Sequence, residues 1–177
     1  MNGRTSPEGG LPTSGRTLHV KVQVWLSGWL PVLQAMRVGC QDPRPEVSLA
    51  ALGVLERCLL DTSGALLAPQ HWRRVFDELV LPMVAAVAEA GAASRDASST
   101  RSLEGVVSLL TKVFLRHVGG LATLPNFHEL YVQVLRLCER VHSAGVTATV
   151  QAAVADAVFN IVRAMKSQGM FEVRTCR

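Results

Sequence analysis

Cysteine and histidine are the side chains of this sequence that could act as nucleophile, general base or metal ligand. A Cys58–His71 pair could in principle attack an electrophilic carbon, since an adjacent imidazole converts a thiol into the more nucleophilic thiolate. The spacing of these two residues matches no known nucleophile–base motif. Cys58 falls on a predicted apolar helix face and His71 in a predicted first helical turn, which favours a packed thiol and a solvated imidazole.

The remaining candidate ligands also lack the spacing of a cofactor or metal site. The sequence contains no Cys-x-x-Cys pair, so neither a zinc site nor a redox motif is indicated. His128-Glu129 does not continue into His-Glu-x-x-His, and no phosphate loop or Gly-x-Ser-x-Gly elbow occurs. The sequence therefore predicts no catalytic, cofactor-binding or metal-binding residue. The cysteines are Cys40, Cys58, Cys138 and Cys176, and the histidines are His19, His71, His117, His128 and His142.

The net charge of +4 comes from the two ends of the chain. Within residues 22–162, eleven basic residues face twelve acidic ones, whereas seven basic and two acidic residues lie outside this range. A nucleic-acid-binding domain would concentrate its basic residues on one face. The sequence therefore predicts no nucleic-acid partner. The excess charge has two interpretations. The termini are simply solvated, or they are weakly attracted to a membrane surface.

Cysteine usage and hydropathy indicate a cytoplasmic protein. Cys58 and Cys138 fall on apolar helix faces, as unpaired thiols do in a reducing compartment. The first twenty residues are polar and rich in glycine, serine and proline, unlike a secretory signal peptide. The longest apolar run, 79–88, is shorter than the roughly 20 residues that a membrane-spanning helix requires. We therefore expect a soluble chain that is peripheral to a membrane at most.

The sequence predicts that helices position all of these side chains. The two most clearly predicted helices lie within the segment 42–87. Apolar residues recur there at three- and four-residue intervals, which places them on one face of each helix. Neither helix can bury such a face alone, so each must pack against another helix. The first face consists of Val47, Ala50, Ala51, Val54, Leu55, Cys58 and Leu59, and the second of Trp72, Val75, Phe76, Leu79, Val80, Met83, Val84 and Val87.

The same periodicity predicts further helices at about 18–38, 101–118, 126–142 and 147–167. The predicted apolar face of the first of these helices includes Trp29, and that of the last includes Val162. Pro31 is expected to kink or divide the first helix and Pro82 to curve the third, because proline removes a backbone hydrogen bond. Residues 91–100 are predicted to form a flexible connection. The resulting domain organisation is a disordered N-terminal segment 1–17, a helical-repeat domain 18–168 and a frayed tail 169–177.

Six helices and no convincing strand predict an all-α fold. Short connections favour antiparallel neighbours, so we expect an armadillo/HEAT-like stack of about six antiparallel helices. No clear internal sequence repeat is evident, and an irregular helical bundle is the competing architecture. The charged fraction of 18% lies below the usual value of about 25%. Such a composition is typical of a segment whose ends are covered by neighbouring repeats.

Five ordered segments within residues 22–171 resemble the region downstream of the Sec7 domain in large Arf guanine-nucleotide exchange factors of the GNOM/GBF class. The most specific of them is Leu-Leu-Thr-Lys-Val-Phe-Leu at 109–115. The sequence departs from the family pattern at Ser48, where a basic residue is common, and at Leu130-Tyr131, where tryptophan is favoured. The other four segments begin at Trp29, Trp72, Phe127 and Asn160.

The resemblance implies a fragment of a protein that activates Arf-type GTPases on Golgi and endosomal membranes. In that family the catalytic glutamate belongs to the Sec7 domain, which has no counterpart in this sequence, so the resemblance implies a non-enzymatic scaffold without cofactors. Its implied partners are other regions of the parent exchange factor, further proteins and a membrane surface, with the GTPase engaged indirectly. An unrelated armadillo-like adaptor and an enzyme using Cys58 or a histidine are the alternative hypotheses.

Overall fold

The structure, a computed structural model, describes residues 20, 22–61, 67–94, 97–143 and 147–171. Six helices and no strand occur in these ranges. The predicted disordered segment 1–17 and most of the predicted tail, 172–177, lie outside the described residues. The helices are α1 (25–39), α2 (Pro45–Asp61), α3 (69–94), α4 (Ala97–Leu121), α5 (Phe127–Ser143) and α6 (Ala148–Ser167).

The six helices form three hairpins that stack in two layers. Helices α1, α3 and α5 make the first layer, and α2, α4 and α6 make the second. The longest helix, α4, has its most extensive contacts with α6, α3 and α2, so it is the centre of the stack. The predicted all-α stack of helices is confirmed by this arrangement.

The three hairpins repeat at an interval of 51 residues. A buried aromatic side chain marks equivalent positions of the three first-layer helices, at Trp25, Phe76 and Phe127. Buried aliphatic residues recur at the same interval in the second layer, because each second-layer helix packs the same face inward. These sets are Leu52, Leu103 and Val154, and Leu59, Leu110 and Ile161. The repeat preserves apolar character rather than residue type, which is why no repeat is evident in the sequence.

Proline is accommodated in α1 and α3 by a wider helical turn. The segments Trp25–Trp29 and Phe76–Val80 are π-helical. The N–H of Leu30 donates to the carbonyl of Trp25, and that of Leu81 donates to the carbonyl of Phe76. Each turn is followed directly by a leucine and a proline, and the helix continues beyond it. Of the two effects predicted for Pro31, a kink or a division of the first helix, division does not occur.

The π-helical turn in α1 also moves Trp29 out of the predicted apolar face. Such a turn brings residue i+5, rather than i+4, into line with residue i. Leu30 is accordingly buried next to Trp25, which is 6% exposed, whereas Trp29 is 51% exposed. A predicted core residue thus becomes part of the surface.

The connection between α3 and α4 is shorter than predicted. Residues 91–94 and 97–100 are helical, so the expected flexible connection over 91–100 is wrong for the described residues. Gly91 is buried against Leu103, and a Cβ at Gly91 would lie 2.6 Å from the Cδ1 atom of Leu103. Glycine is therefore needed at this position for the close approach of the two helices.

A Gly53→Ala substitution is expected to stabilise the fold by about 0.5–1 kcal/mol. Gly53 lies on the exposed side of α2, and a Cβ there would meet no atom within 4 Å. Alanine loses less backbone entropy than glycine when the helix forms, which is the source of the gain. Urea unfolding measures the change. Gly91→Ala is the contrasting variant and is expected to bring no gain; a loss of stability in Gly53→Ala would contradict the prediction.

Candidate functional site

The cysteine and histidine residues do not assemble into a reactive site in the described part of the chain. Cys58 is half-buried on α2, and no hydrogen bond joins it to His71 among the described residues. Burial raises the pKa of the Cys138 thiol to about 11, so this thiol stays protonated and a poor nucleophile. No group of three or more histidine, cysteine, aspartate or glutamate side chains within the described ranges could hold a metal ion.

His117 serves as a packing residue between α3 and α4. Its ring stacks on Trp72 with centroids 3.5 Å apart and an interplanar angle of 19°. Burial lowers the pKa of His117 to about 4; the nearby Arg116 charge adds to this effect, and a hydrogen bond with the Leu59 backbone opposes it. The imidazole is therefore neutral at physiological pH. Its Nε2 atom has no hydrogen-bond partner among the described residues.

A groove of about 530 Å³ lies between α3 and α5 on the first layer. Arg136 and Arg140 stand one helical turn apart on α5 and form no ion pair or hydrogen bond with any described residue. Asp77, on the α3 side, is paired with Arg73 at 2.8 Å. The groove thus combines an apolar floor with a positive edge. The floor consists of Leu81, Pro82, Ala85 and Leu137, and the polar residues are Asp77, Gln133, Arg136 and Arg140.

The groove is open because a side-chain contact found between the preceding pair of first-layer helices is missing between α3 and α5. Between α1 and α3, the Nε2 atom of Gln34 donates to Oε2 of Glu78 at 3.2 Å. Fifty-one residues later, Ala85 takes the place of Gln34, and Glu129 takes that of Glu78. An alanine side chain cannot bridge the two helices, so the space between α3 and α5 remains unfilled.

Sequence reasoning missed this groove. The available signal was the pair Arg136 and Arg140, four residues apart on the polar side of a predicted helix. Such a pair is ordinarily a solvated surface feature, and only the neighbouring helix α3 makes it the edge of a groove. The separation of about 50 residues between the two walls explains the miss.

The outer helices of the stack expose apolar side chains. Exposed apolar groups grouped on one element often mark an interaction surface, and in helical-repeat proteins the end helices are where further structure packs. No helix in the described ranges has both the length and the hydropathy needed to span a bilayer. The exposed residues include Val24 immediately before α1, Trp29, Val32 and Val38 on α1, and Phe159 and Val162 on α6.

Two layers of stacked helical hairpins, with a groove and apolar end faces, define a helical-repeat protein. A family described as "GBF1-like, tetratrico peptide repeat region" matches residues 29–177, and the chain belongs to this family. The 51-residue interval of its hairpins is longer than the 34 residues of a typical tetratricopeptide repeat and closer to the roughly 40–47 residues of HEAT and armadillo units.

Curated proteins similar to this chain are exchange factors. The chain is 30% identical over 155 residues to "ARF guanine-nucleotide exchange factor GNOM" of Arabidopsis thaliana, which covers 83% of this chain and 10% of the relative. It is 29% identical over 152 residues to "Golgi-specific brefeldin A-resistance guanine nucleotide exchange factor 1 homolog" of Caenorhabditis elegans, covering 84% of this chain and 8% of the relative. With "ARF guanine-nucleotide exchange factor GNL1" of Arabidopsis thaliana, the identity is 26% over 115 residues, covering 63% of this chain and 8% of the relative.

These matches confirm the resemblance to the GNOM/GBF class and overturn the alternative of an unrelated adaptor. The chain spans about a tenth or less of the length of these relatives, so it corresponds to one region of such an exchange factor. No solved structure matches the chain.

Proposed function

We propose that this chain is a non-catalytic helical scaffold downstream of the Sec7 domain in an Arf guanine-nucleotide exchange factor. It supports membrane recruitment, autoregulation and partner binding during vesicle traffic, at the cytoplasmic surface of Golgi and endosomal membranes. The family match carries the proposal, since the chain belongs to the GBF1-like family. In this family member, the end helices of the two-layer stack expose apolar side chains. Surfaces of this kind suit contact with other regions of the parent exchange factor.

The packing of Cys138 and His117 supports a non-catalytic role. Cys138 is buried and protonated, and His117 is neutral and half-buried against Trp72. Nucleotide exchange requires groups that reach the bound nucleotide or its metal ion, and the packing of these two side chains does not favour such contact. An Arf-type GTPase would therefore be influenced by this region indirectly, through the parent protein.

The test combines the purified chain with a parent exchange factor from which this region has been deleted. Alone, the chain is expected to leave GDP release from an Arf-type GTPase at its spontaneous rate. Added in trans, it is expected to bind the truncated parent protein, as measured by co-sedimentation. Trp29→Asp should abolish that binding, because it places a charge on the exposed apolar face of α1.

Ala50→Asp is the matched control, since Ala50 is exposed on α2 in the other layer. Acceleration of GDP release by the chain alone would overturn the non-catalytic assignment. Equal binding by wild-type, Trp29→Asp and Ala50→Asp chains would overturn the assignment of the α1 face as the contact.

A further inference from the structure

We propose that the groove between α3 and α5 binds a short acidic peptide segment of a partner protein. An apolar side chain of the peptide enters the groove, and flanking carboxylates pair with Arg136 and Arg140. The inference goes beyond the proposed scaffold role, because it rests on the groove alone and holds whether or not the end faces contact the parent exchange factor.

The charge of the groove favours an anionic partner. Arg136 and Arg140 are exposed on α5 and have no partner among the described residues. Asp77 is compensated by Arg73, whose guanidinium also donates to the backbone carbonyl of Asn126 at 3.1 Å. These two arginines, unpaired within the described part of the chain, therefore leave an excess of positive charge along one edge. A guanidinium group binds carboxylates in a bidentate manner, so paired arginines select acidic side chains.

The shape of the groove favours a peptide that carries an apolar side chain. Its volume of about 530 Å³ lies within the range of about 300–1,000 Å³ found for ligand pockets. Leu81, Ala85 and Leu137 present hydrocarbon to this space, and burial of an apolar ligand side chain there removes both surfaces from water. The short side chain of Ala85 provides the room that Gln34 fills in the preceding interval.

Asp77 lines the groove, and its backbone carbonyl lacks its usual donor within α3. The N–H of Leu81 donates to the carbonyl of Phe76, and Pro82 has no N–H to donate. In a regular α-helix the carbonyl of Asp77 would accept from the N–H of Leu81, so the π-helical turn leaves this carbonyl without that donor. A backbone N–H of the bound peptide supplies that missing donor. Charge, shape and this carbonyl thus point to the same class of ligand.

Fluorescence anisotropy with the full 177-residue chain tests the proposal. The probe is a fluorescein-labelled octapeptide in which glutamates surround one leucine. The double variant Arg136→Glu/Arg140→Glu is expected to weaken binding by about tenfold or more, because it replaces attraction with repulsion. Ala85→Gln should also weaken binding, since glutamine can cross the groove as Gln34 does. A probe with serine in place of leucine should bind less tightly than the original.

The matched control is Arg101→Glu/Arg163→Glu, which makes the same charge change at exposed positions of the second layer. It is expected to retain wild-type affinity, and circular dichroism confirms that each variant is folded. Absence of measurable binding to the wild-type chain would overturn the proposal. Equal weakening in the two double variants would also overturn it, because binding would then follow net charge rather than the groove. Neither result bears on recruitment through the α1 face.

Discussion

A Phe114→Ala chain is expected to lose about 3–5 kcal/mol of unfolding free energy. Phe114 lies in the middle of α4 and is fully buried. Its ring contacts Phe76 of α3 edge-on, with centroids 6.1 Å apart, and Phe127 of α5 at 6.2 Å. Truncation therefore leaves a cavity where three helices meet and removes two aromatic contacts, each worth about 0.5–1.5 kcal/mol beyond the area buried.

Urea unfolding followed by circular dichroism measures this loss. Phe159→Ala is the control, because the Phe159 side chain on α6 is 65% exposed and its removal should change stability by less than about 0.5 kcal/mol. Similar losses in the two variants would show that α4 is not the centre of the fold.

Acidification from pH 6.5 to pH 4 is expected to destabilise the chain through His117, by up to about 3 kcal/mol. In the unfolded chain His117 binds a proton with the ordinary pKa of 6.5, whereas burial lowers the pKa in the folded chain to about 4. Between these values the unfolded state binds more protons, so stability falls as the pH falls. Well above pH 6.5 both states are neutral at this residue, and its contribution to the pH dependence vanishes.

Unfolding free energies measured at pH 7 and pH 4.5 test this prediction in two variants. His117→Phe keeps an aromatic ring against Trp72 but cannot titrate, so it should lose most of the pH dependence in this window. His128→Gln removes an exposed histidine of α5 and should leave the pH dependence unchanged. A wild-type slope in the His117→Phe chain would contradict the assignment of the slope to this residue.

Apolar periodicity predicted the core best where a helix has neighbours on several sides. All eight residues predicted for the apolar face of α3 are buried. Three residues that were predicted to face inward are exposed instead. Trp29 is turned outward by the π-helical turn. Ala50 lies on the part of the α2 surface that no other helix covers, and Val162 belongs to α6, the outermost helix of its layer. Helical periodicity assumes a regular helix with a wide contact face, and each of these positions departs from that assumption.

The groove and the 51-residue interval could not be predicted in the same way. Both depend on how residues about 50 positions apart are placed next to each other. The groove exists because Ala85 is too short to bridge α3 and α5, which has meaning only beside Gln34 and Glu78 of the preceding interval. The family resemblance, by contrast, depends on residue types in order along the chain, so it could be drawn from the sequence.

The stacking of the hairpins has a consequence for how the chain folds. Most contacts between helices join helices that are neighbours in the stack. The average sequence separation of contacting residues therefore stays small. Low contact order of this kind is associated with rapid folding. Nucleation in the α3–α4 hairpin, followed by docking of one hairpin on each side, would build the native structure without bringing the two ends of the chain together.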